Sequence, residues 1–275
     1  MSLPVALQLY SVREDCAADF ARALGKVRDM GYDGVEFAGL FSHSADYVRG
    51  LLDAYGLTPV SAHVPLDEML ADPDLVFETY RKIGCPYIAV PYVTEERRPG
   101  ADGFMKTIDE IAALGKKARE YGLQLLYHNH DFEFRKVDGE YGLDILYSRI
   151  PADYLMTELD TCWVNIGGEN PADYITKYSG RAPVVHLKDF NIEGKLPKHL
   201  YALIGMNDEE EDDGGKSSFE FRPVGHGMQD MPSILEASEK AGAKWVVVEQ
   251  DEPSMGLSRM DSVRASREYL ASLGW

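Results

Sequence analysis

The stretch that decides the fold is FMKTIDEIAALGKKAREYGLQLLYHNH, residues 104–130, where a helical pattern leads directly into a buried strand. The apolar residues of its first part fall on one helix face, at Phe104, Ile108, Ile111 and Ala118. Gly122 closes this helix, and residues 123–128 form a short apolar run that ends in His128. A helix followed by an apolar strand is the repeating unit of a parallel sheet, so the stretch predicts an α/β fold.

The same alternation runs outward from this stretch to both ends of the chain. It predicts eight strands, at residues 5–10, 34–37, 57–63, 87–90, 123–128, 154–160, 182–187 and 245–249. Helical patterns follow the strands, among them residues 47–55, 66–83, 143–150, 231–241 and 259–273. A chain of 275 residues suits a (β/α)8 barrel, which needs about 250. We therefore expect a single (β/α)8 TIM barrel domain over residues 1–275, without a linker.

The charge balance excludes several classes of partner. The net charge is −18, from 28 basic and 46 acidic residues. Nucleic acids and anionic membranes both require a basic face, so we expect neither as a partner. The same balance disfavours a highly phosphorylated substrate. An acidic run at residues 208–213, within the segment 207–215, predicts either a solvated surface loop or a lid or oligomer contact. The sequence leaves a homo-oligomer open.

The cysteines and the N-terminus indicate an intracellular protein. Cys16, Cys85 and Cys162 are widely spaced, and no CxxC pair occurs, so neither a disulfide framework nor a thiolate zinc site is predicted. The first residues, MSLPVALQLYSVRED, lack the basic stretch and long apolar run of a secretory signal. No apolar run approaches the ~18 residues of a membrane span. We therefore expect a cytoplasmic location.

Histidines and carboxylates gather at the predicted strand ends. In (β/α)8 barrels the chemistry lies at the carboxyl ends of the strands. Five of the seven histidines fall in or next to this ring: His63, His128, His130, His186 and His226. Residues two apart on a strand share a face, which pairs His128 with His130, Glu158 with Asp160, and His186 with Lys188.

This mixture of imidazole and carboxylate predicts a nitrogen and oxygen metal site. Such a site suits Mn, Zn, Co or Fe, and it tolerates Mg poorly because of the imidazoles. The competing interpretation is a hydrogen-bonded barrel mouth that holds no metal. Spacing alone does not decide between the two.

The segments at the strand ends, taken in their order along the chain, resemble those of a known family. The chain resembles the xylose-isomerase-like barrels, the sugar isomerase/epimerase superfamily that also contains type-2 AP endonucleases and inosose dehydratases. The resemblance covers nearly the whole chain and rests on GYDGVEF (31–37), SAHVP (61–65), YHNHDFEF (127–134), ELDTCWV (158–164), GRAPVVHLKDF (180–190), VGHGMQD (224–230) and WVVVEQD (245–251).

The resemblance implies a set of metal ligands. The family holds its metal with an acid after strand 5, Asp after strand 6, His after strand 7 and Glu after strand 8. The last three positions fall on Asp160, His186 and Glu249. The side chains at positions that usually touch the substrate are Glu36, His63 and Lys188. The family's GxGxxD loop matches Gly225, Gly227 and Asp230.

Two departures from the family pattern change the expected site. The segment after strand 5 begins with His128 where the family has Glu, so the first ligand is His128 itself, Glu133 or Glu158. Trp163 stands where the family often has His, which removes a ligand that a second metal would use. We therefore expect one divalent metal ion, Mn, Zn, Co or Mg, with His128 in the set of four ligands.

The resemblance implies an enzyme acting on a small sugar or cyclitol that carries a carbonyl. The broader expectation is a metal-dependent isomerase or epimerase, in which Glu249 removes the proton next to the carbonyl. The alternative is an inosose or keto-sugar dehydratase or lyase. Without a strand 5 glutamate, His130 or Glu133 would handle the second proton. A DNA endonuclease is opposed by the charge and by the missing ligands, and a metal-free sugar-binding barrel is the remaining alternative.

Overall fold

The computed structural model of the protein describes residues 2–194 and 218–275, and its strands close into a parallel barrel. The barrel strands are β1 Val5–Gln8, β2 Gly34–Ala38, β3 Thr58–His63, β4 Tyr87–Val90, β5 Gln124–His128, β6 Met156–Asp160, β7 Val184–Leu187 and β8 Trp245–Val248. Around the barrel they lie in the order β1-β8-β7-β6-β5-β4-β3-β2. This confirms the predicted (β/α)8 barrel. The acidic run at 208–213 lies outside the described residues.

The helices between the strands form the outer layer. No described helix is long and apolar enough to cross a bilayer. The described helices are α1 Arg13–Ala18, α2 Phe20–Asp29, α3 Ala45–Tyr55, α4 Leu66–Ala71, α5 Pro73–Ile83, α6 Phe104–Glu120, α7 Gly142–Arg149, α8 Thr161–Ile166, α9 Pro171–Lys177, α10 Met231–Ala241 and α11 Arg259–Ser272.

Two of the predicted boundaries that the structure shifts have a clear cause. The helix predicted over 66–83 is divided at Asp72, whose side chain accepts a hydrogen bond from Leu75 N at 3.0 Å and so begins α5. Pro73 then takes the first helical position, where its missing N–H has no cost. The first strand ends at Gln8, because its side chain accepts from Tyr10 N and begins a 3-10 turn at Leu9–Val12.

The barrel interior changes from apolar to polar along the strand direction. Its lower layer is a cluster of small and branched residues, Ala6, Val60, Ala89, Leu126, Val184 and Val247. Because alternate residues on a strand face the same side, the positions two further along also point inward. Four of these positions hold polar side chains, Gln8, His128, His186 and Glu249. The apolar layer therefore forms the floor under a ring of functional groups.

A two-stranded extension continues from β7 over the barrel mouth. Asp189–Glu193 pairs antiparallel with Ser218–Arg222. Its three phenylalanines, Phe190, Phe219 and Phe221, form a buried cluster with Trp163 and Cys162 of α8, separate from the main core. This extension places an aromatic wall beside the polar ring.

Candidate metal centre

Strand pairing brings the predicted ligands to the same level of the barrel. Asp160 on β6 pairs with His186 on β7, and His128 on β5 pairs with Glu158 on β6. Glu249 directly follows β8, and its backbone N–H bonds Leu187 O of β7 at 3.2 Å. Parallel pairing therefore sets the side chains of four adjacent strands around one point.

Four predicted ligands form a compact donor cluster. His128, Asp160, His186 and Glu249 each offer one donor atom, and these atoms all lie within 4.8 Å of one another. His186 Nδ1 lies 3.2 Å from Glu249 Oε2, and His128 Nε2 lies 3.8 Å from Asp160 Oδ2. All four side chains are buried. Two imidazoles and two carboxylates are a donor set suited to a first-row divalent ion.

Asp160 presents one carboxylate oxygen to the centre of this cluster. Its Oδ1 accepts from Trp163 N at 2.9 Å and begins α8. Its Oδ2 is buried and has no hydrogen-bond partner among the described residues. A buried carboxylate oxygen without a partner is costly unless a cation or a donor compensates it. The residues present therefore fit a metal ion at this point.

A second donor set lies beside the first and shares two of its imidazoles. It consists of His63, His128, Glu158 and His186. Glu158 Oε1 is 2.5 Å from His63 Nε2, 3.3 Å from His186 Nε2 and 3.4 Å from His128 Nδ1. Glu158 thus contacts three rings from below, and it does not line the cavity above the cluster. This geometry favours His128 over Glu158 as the ligand that replaces the family's acid after strand 5.

The predicted substrate contacts divide into two groups. His63 and Lys188 line the cavity above the cluster, and their contact with substrate stays a prediction. Glu36 does not line the cavity, and its side chain is fully buried. Its Oε2 lies 2.7 Å from His186 Nε2 and accepts a hydrogen bond from Gln8 Nε2 at 2.8 Å. Glu36 thus lies against His186, beneath the cavity, and its contact with substrate stays a prediction.

Lys188 neutralises part of the acidic cluster. Its Nζ lies 3.0 Å from Glu249 Oε2 and 2.6 Å from Asp251 Oδ2. The ammonium also lies over the rings of Trp163 and Phe221, 5.4 and 5.1 Å from their centroids. Burial lowers the pKa of Lys188, but Asp251, Glu249 and Asp160 raise it more, to well above its usual value.

His130 and Glu133, the two candidates for the second proton, lie in different surroundings. His130 lines the cavity and stacks on Phe132, with ring centroids 5.3 Å apart. Glu133 does not line the cavity, because its oxygens accept from Tyr127 Oη at 2.6 Å and from His130 N at 2.7 Å. Glu133 thus anchors the backbone of His130, and its catalytic role stays a prediction.

The cavity over the cluster has a volume of about 490 Å³. Sequence analysis missed Tyr10 and Asp251 as cavity residues. Asp251 lies two residues after Glu249, so the alternation rule could have indicated it. Tyr10 lies within the 3-10 turn that follows β1 and gave no signal of this kind. The lining residues are Tyr10, Ala38, Gly39, His63, Val64, Pro65, Glu68, Tyr80, Pro91, Tyr92, His128, His130, Lys188, Glu249 and Asp251.

Burial and neighbouring charges shift the pKa values of the cluster. Burial raises the pKa of Asp160 to about 7, with nearby Glu249 adding to the rise and Lys188 opposing it. Burial also raises the pKa of Glu249, but Lys188 and His186 lower it more, to well below its usual value. For His130, burial and Lys188 lower the pKa, so its ring is neutral near pH 7. The carboxyls need cations as neighbours, and a divalent ion would supply that charge.

The loop that matches the family's GxGxxD segment is fixed to the end of β7. Asp189 Oδ2 accepts from Gly225 N at 2.9 Å and from Gly227 N at 3.0 Å. A Cβ on Gly227 would come within 2.2 Å of Asp189 Oδ1, so only glycine fits there. The contact holds the loop close to Lys188, the residue before Asp189.

With the barrel and the donor cluster established, the chain can be placed in a family. It belongs to the xylose isomerase-like TIM barrel family, whose sequence model matches residues 24–273.

Two curated relatives are inosose dehydratases. The protein from Lacticaseibacillus casei is 26% identical over 161 residues, 58% of this chain and 51% of the relative. The chain thus spans about half the length of that protein. The protein from Clostridium beijerinckii (strain ATCC 51743 / NCIMB 8052) is 22% identical over 282 aligned residues, 91% of this chain and 88% of the relative.

Solved structures share the fold at low sequence identity. A sugar phosphate isomerase/epimerase from Parabacteroides distasonis ATCC 8503 superposes with a TM-score of 0.76 at 18% identity, over 98% of this chain and 94% of the other. The IOLI protein, solved with a binding zinc atom, has a TM-score of 0.71 at 18% identity, over 99% and 98%. These similarities support the fold assignment.

Proposed function

We propose that the protein is a metal-dependent enzyme acting on a small polyhydroxylated carbonyl compound, a sugar or a cyclitol. The observation that carries this proposal is the buried donor set of His128, Asp160, His186 and Glu249 at the floor of an open cavity. The names of the inosose dehydratases support the substrate class. The zinc atom in the IOLI structure supports a metal in this fold.

A divalent ion bound by these four residues would polarise a substrate carbonyl and so acidify the neighbouring carbon-bound proton. The remaining tasks fall to the chain's own side chains. Glu249 lies at the cavity floor and is the residue we assign to remove that proton. Lys188 and His63 line the same cavity and are placed to hold substrate oxygens.

We favour a dehydratase over an isomerase or epimerase. Loss of water breaks one C–H bond and one C–O bond and forms a C=C bond, so the proton taken from carbon balances the proton that the departing hydroxyl takes up. Glu249 and His130 line the same cavity, and we assign His130 to take up a proton and donate it to the leaving oxygen. The neutral state of the ring before the reaction suits a relay of this kind. The relatives' names agree with this reaction.

The isomerase or epimerase expected from the sequence is the second candidate. It requires two groups that remove and return a proton, and both Glu249 and His130 line the cavity. The two reactions share the first proton transfer. They differ in whether a hydroxyl leaves.

The two functions can be distinguished by the product that the protein forms from an inosose in deuterated water. Metal-loaded protein incubated with a 2-keto cyclitol is expected to release water and give a dehydrated product, visible by NMR. Formation of a stereoisomer or a shifted carbonyl, with every hydroxyl kept, would instead establish the isomerase or epimerase. The metal-free protein is the matched control, and we expect it to be inactive.

The cavity predicts a substrate without phosphate. No arginine is among the cavity-lining residues within the described chain, and the ammonium of Lys188 is already paired with Glu249 and Asp251. A phosphate would have to approach these carboxylates without a free cation to bind it. We expect neutral sugars and cyclitols to be turned over in preference to their phosphates. Activity confined to phosphorylated compounds in a parallel screen would contradict this prediction.

A further inference from the structure

The imidazole of His186 is held from below by a fixed carboxylate. Glu36 Oε2 lies 2.7 Å from His186 Nε2, and both side chains are fully buried. Gln8 Nε2 donates to the same oxygen at 2.8 Å. The amide of Gln8 is itself oriented, because its Oε1 accepts from Tyr10 N at 3.0 Å. A chain of contacts from the end of β1 thus sets the position of the Glu36 carboxylate.

These contacts distinguish the two nitrogens of the His186 ring. Nε2 faces the Glu36 carboxylate, while Nδ1 faces Glu249 Oε2 at 3.2 Å. Both nitrogens face a carboxylate, but an ion bound beside Glu249 would take the lone pair of Nδ1, which leaves the ring hydrogen on Nε2, toward Glu36. The His128 ring is arranged the opposite way, with Nε2 toward Asp160 and Nδ1 toward Glu158.

We propose that Glu36 is a positioning residue, which accepts the Nε2 hydrogen of His186 and thereby presents Nδ1 of that ring to the metal. This inference rests on the proposed metal site. Histidine ligands commonly donate their other ring N–H to a carboxylate, and loss of that partner typically weakens metal binding about 10–100-fold.

The position of Glu36 favours a supporting role over direct contact with substrate or metal. Its side chain is fully buried and does not line the cavity. Neither donor set that the described residues form includes Glu36. Its effect on the metal therefore passes through the His186 ring.

The test compares Glu36→Gln with Glu133→Gln, a matched change at another buried glutamate. The affinities of both variants and of the wild type for Zn²⁺ and Co²⁺ are measured by chelator competition. We expect Glu36→Gln to weaken binding about 10–100-fold and to alter the visible spectrum of bound Co²⁺, and Glu133→Gln to keep the wild-type affinity. Thermal midpoints of the metal-free proteins show whether each variant is folded.

The outcomes separate this inference from the proposed function. A wild type that binds no metal would overturn both. A wild type that binds metal, with the same affinity and Co²⁺ spectrum in folded Glu36→Gln, would overturn only the role of Glu36. If Glu36→Gln does not fold, Glu36→Asp draws the carboxylate back by about one C–C bond, ~1.5 Å. Weaker binding in that variant supports the proposal, and unchanged binding overturns it.

Discussion

Replacing His186 with alanine is expected to remove the bound metal. His186 is fully buried, belongs to both donor sets and contacts the carboxylates of Glu36 and Glu249. Its loss takes one nitrogen ligand from the centre and leaves those carboxylates without their shared partner. The metal content of the purified protein, measured by elemental analysis, should fall to near zero. The wild type should hold about one ion per chain, the number expected for one four-ligand site. Turnover should fall with the metal content.

The matched control for this experiment is His226→Ala. His226 is exposed and belongs to neither donor set, so its replacement should leave the metal content unchanged. Circular dichroism of both variants shows whether the barrel has formed. Equal metal content in folded His186→Ala and wild type would rule out His186 as a ligand.

The second large effect is expected for His130→Gln, which should keep the metal and lose the reaction. His130 lines the cavity but is outside the donor sets, so metal content should stay at the wild-type level. Groups that transfer protons typically contribute about 10²–10⁴-fold to the rate, and we expect a loss in this range. If His130 assists departure of the hydroxyl, the variant will still exchange the carbon-bound hydrogen with deuterated water while forming no dehydrated product.

Glu249→Gln is the companion variant for the other end of the proton relay. It keeps the shape of the side chain but removes the charge that faces Lys188 and His186. We expect weaker metal binding and loss of both deuterium exchange and turnover. Exchange at the wild-type rate in Glu249→Gln would show that another group removes the proton. Loss of exchange in His130→Gln would point to His130 as that group.

The fold could be predicted because its signals are local. Trp245–Val248 is an apolar strand with a helical pattern on either side. A continuous apolar run of this kind indicates a strand that is buried on both faces, as in a parallel barrel. Boundaries were less accurate where one polar side chain decides them. Asp72 starts a new helix and Gln8 ends the first strand, and both act through a single backbone hydrogen bond.

The candidate site could be predicted in outline, because residues at the carboxyl ends of barrel strands converge. His128, Asp160, His186 and Glu249 do come together, while their role as ligands stays a prediction. Depth within the barrel was not visible in the sequence. Glu36 matches a family position, but the pairing of Gln8 with Glu36 between β1 and β2 sets it beside His186 and beneath the cavity.

Glu133 shows a second limit of sequence reasoning. A glutamate three residues after His130 is close enough to serve the same chemistry, and only the path of the backbone decides where it points. The 3-10 turn at Phe132–Phe134 directs it back to the N–H of His130 and to Tyr127. Spacing along a turn does not carry that information.

The most direct test of the metal centre is a crystal structure of the zinc- or manganese-loaded protein with anomalous scattering from the ion. We predict one ion, bound by His128, Asp160, His186 and Glu249 at ~2.0–2.3 Å, the usual range for nitrogen and oxygen ligands. His186 should bind through Nδ1, with Glu36 on its other nitrogen. An ion bound elsewhere, or a loaded crystal with no anomalous peak among these four side chains, would contradict the account.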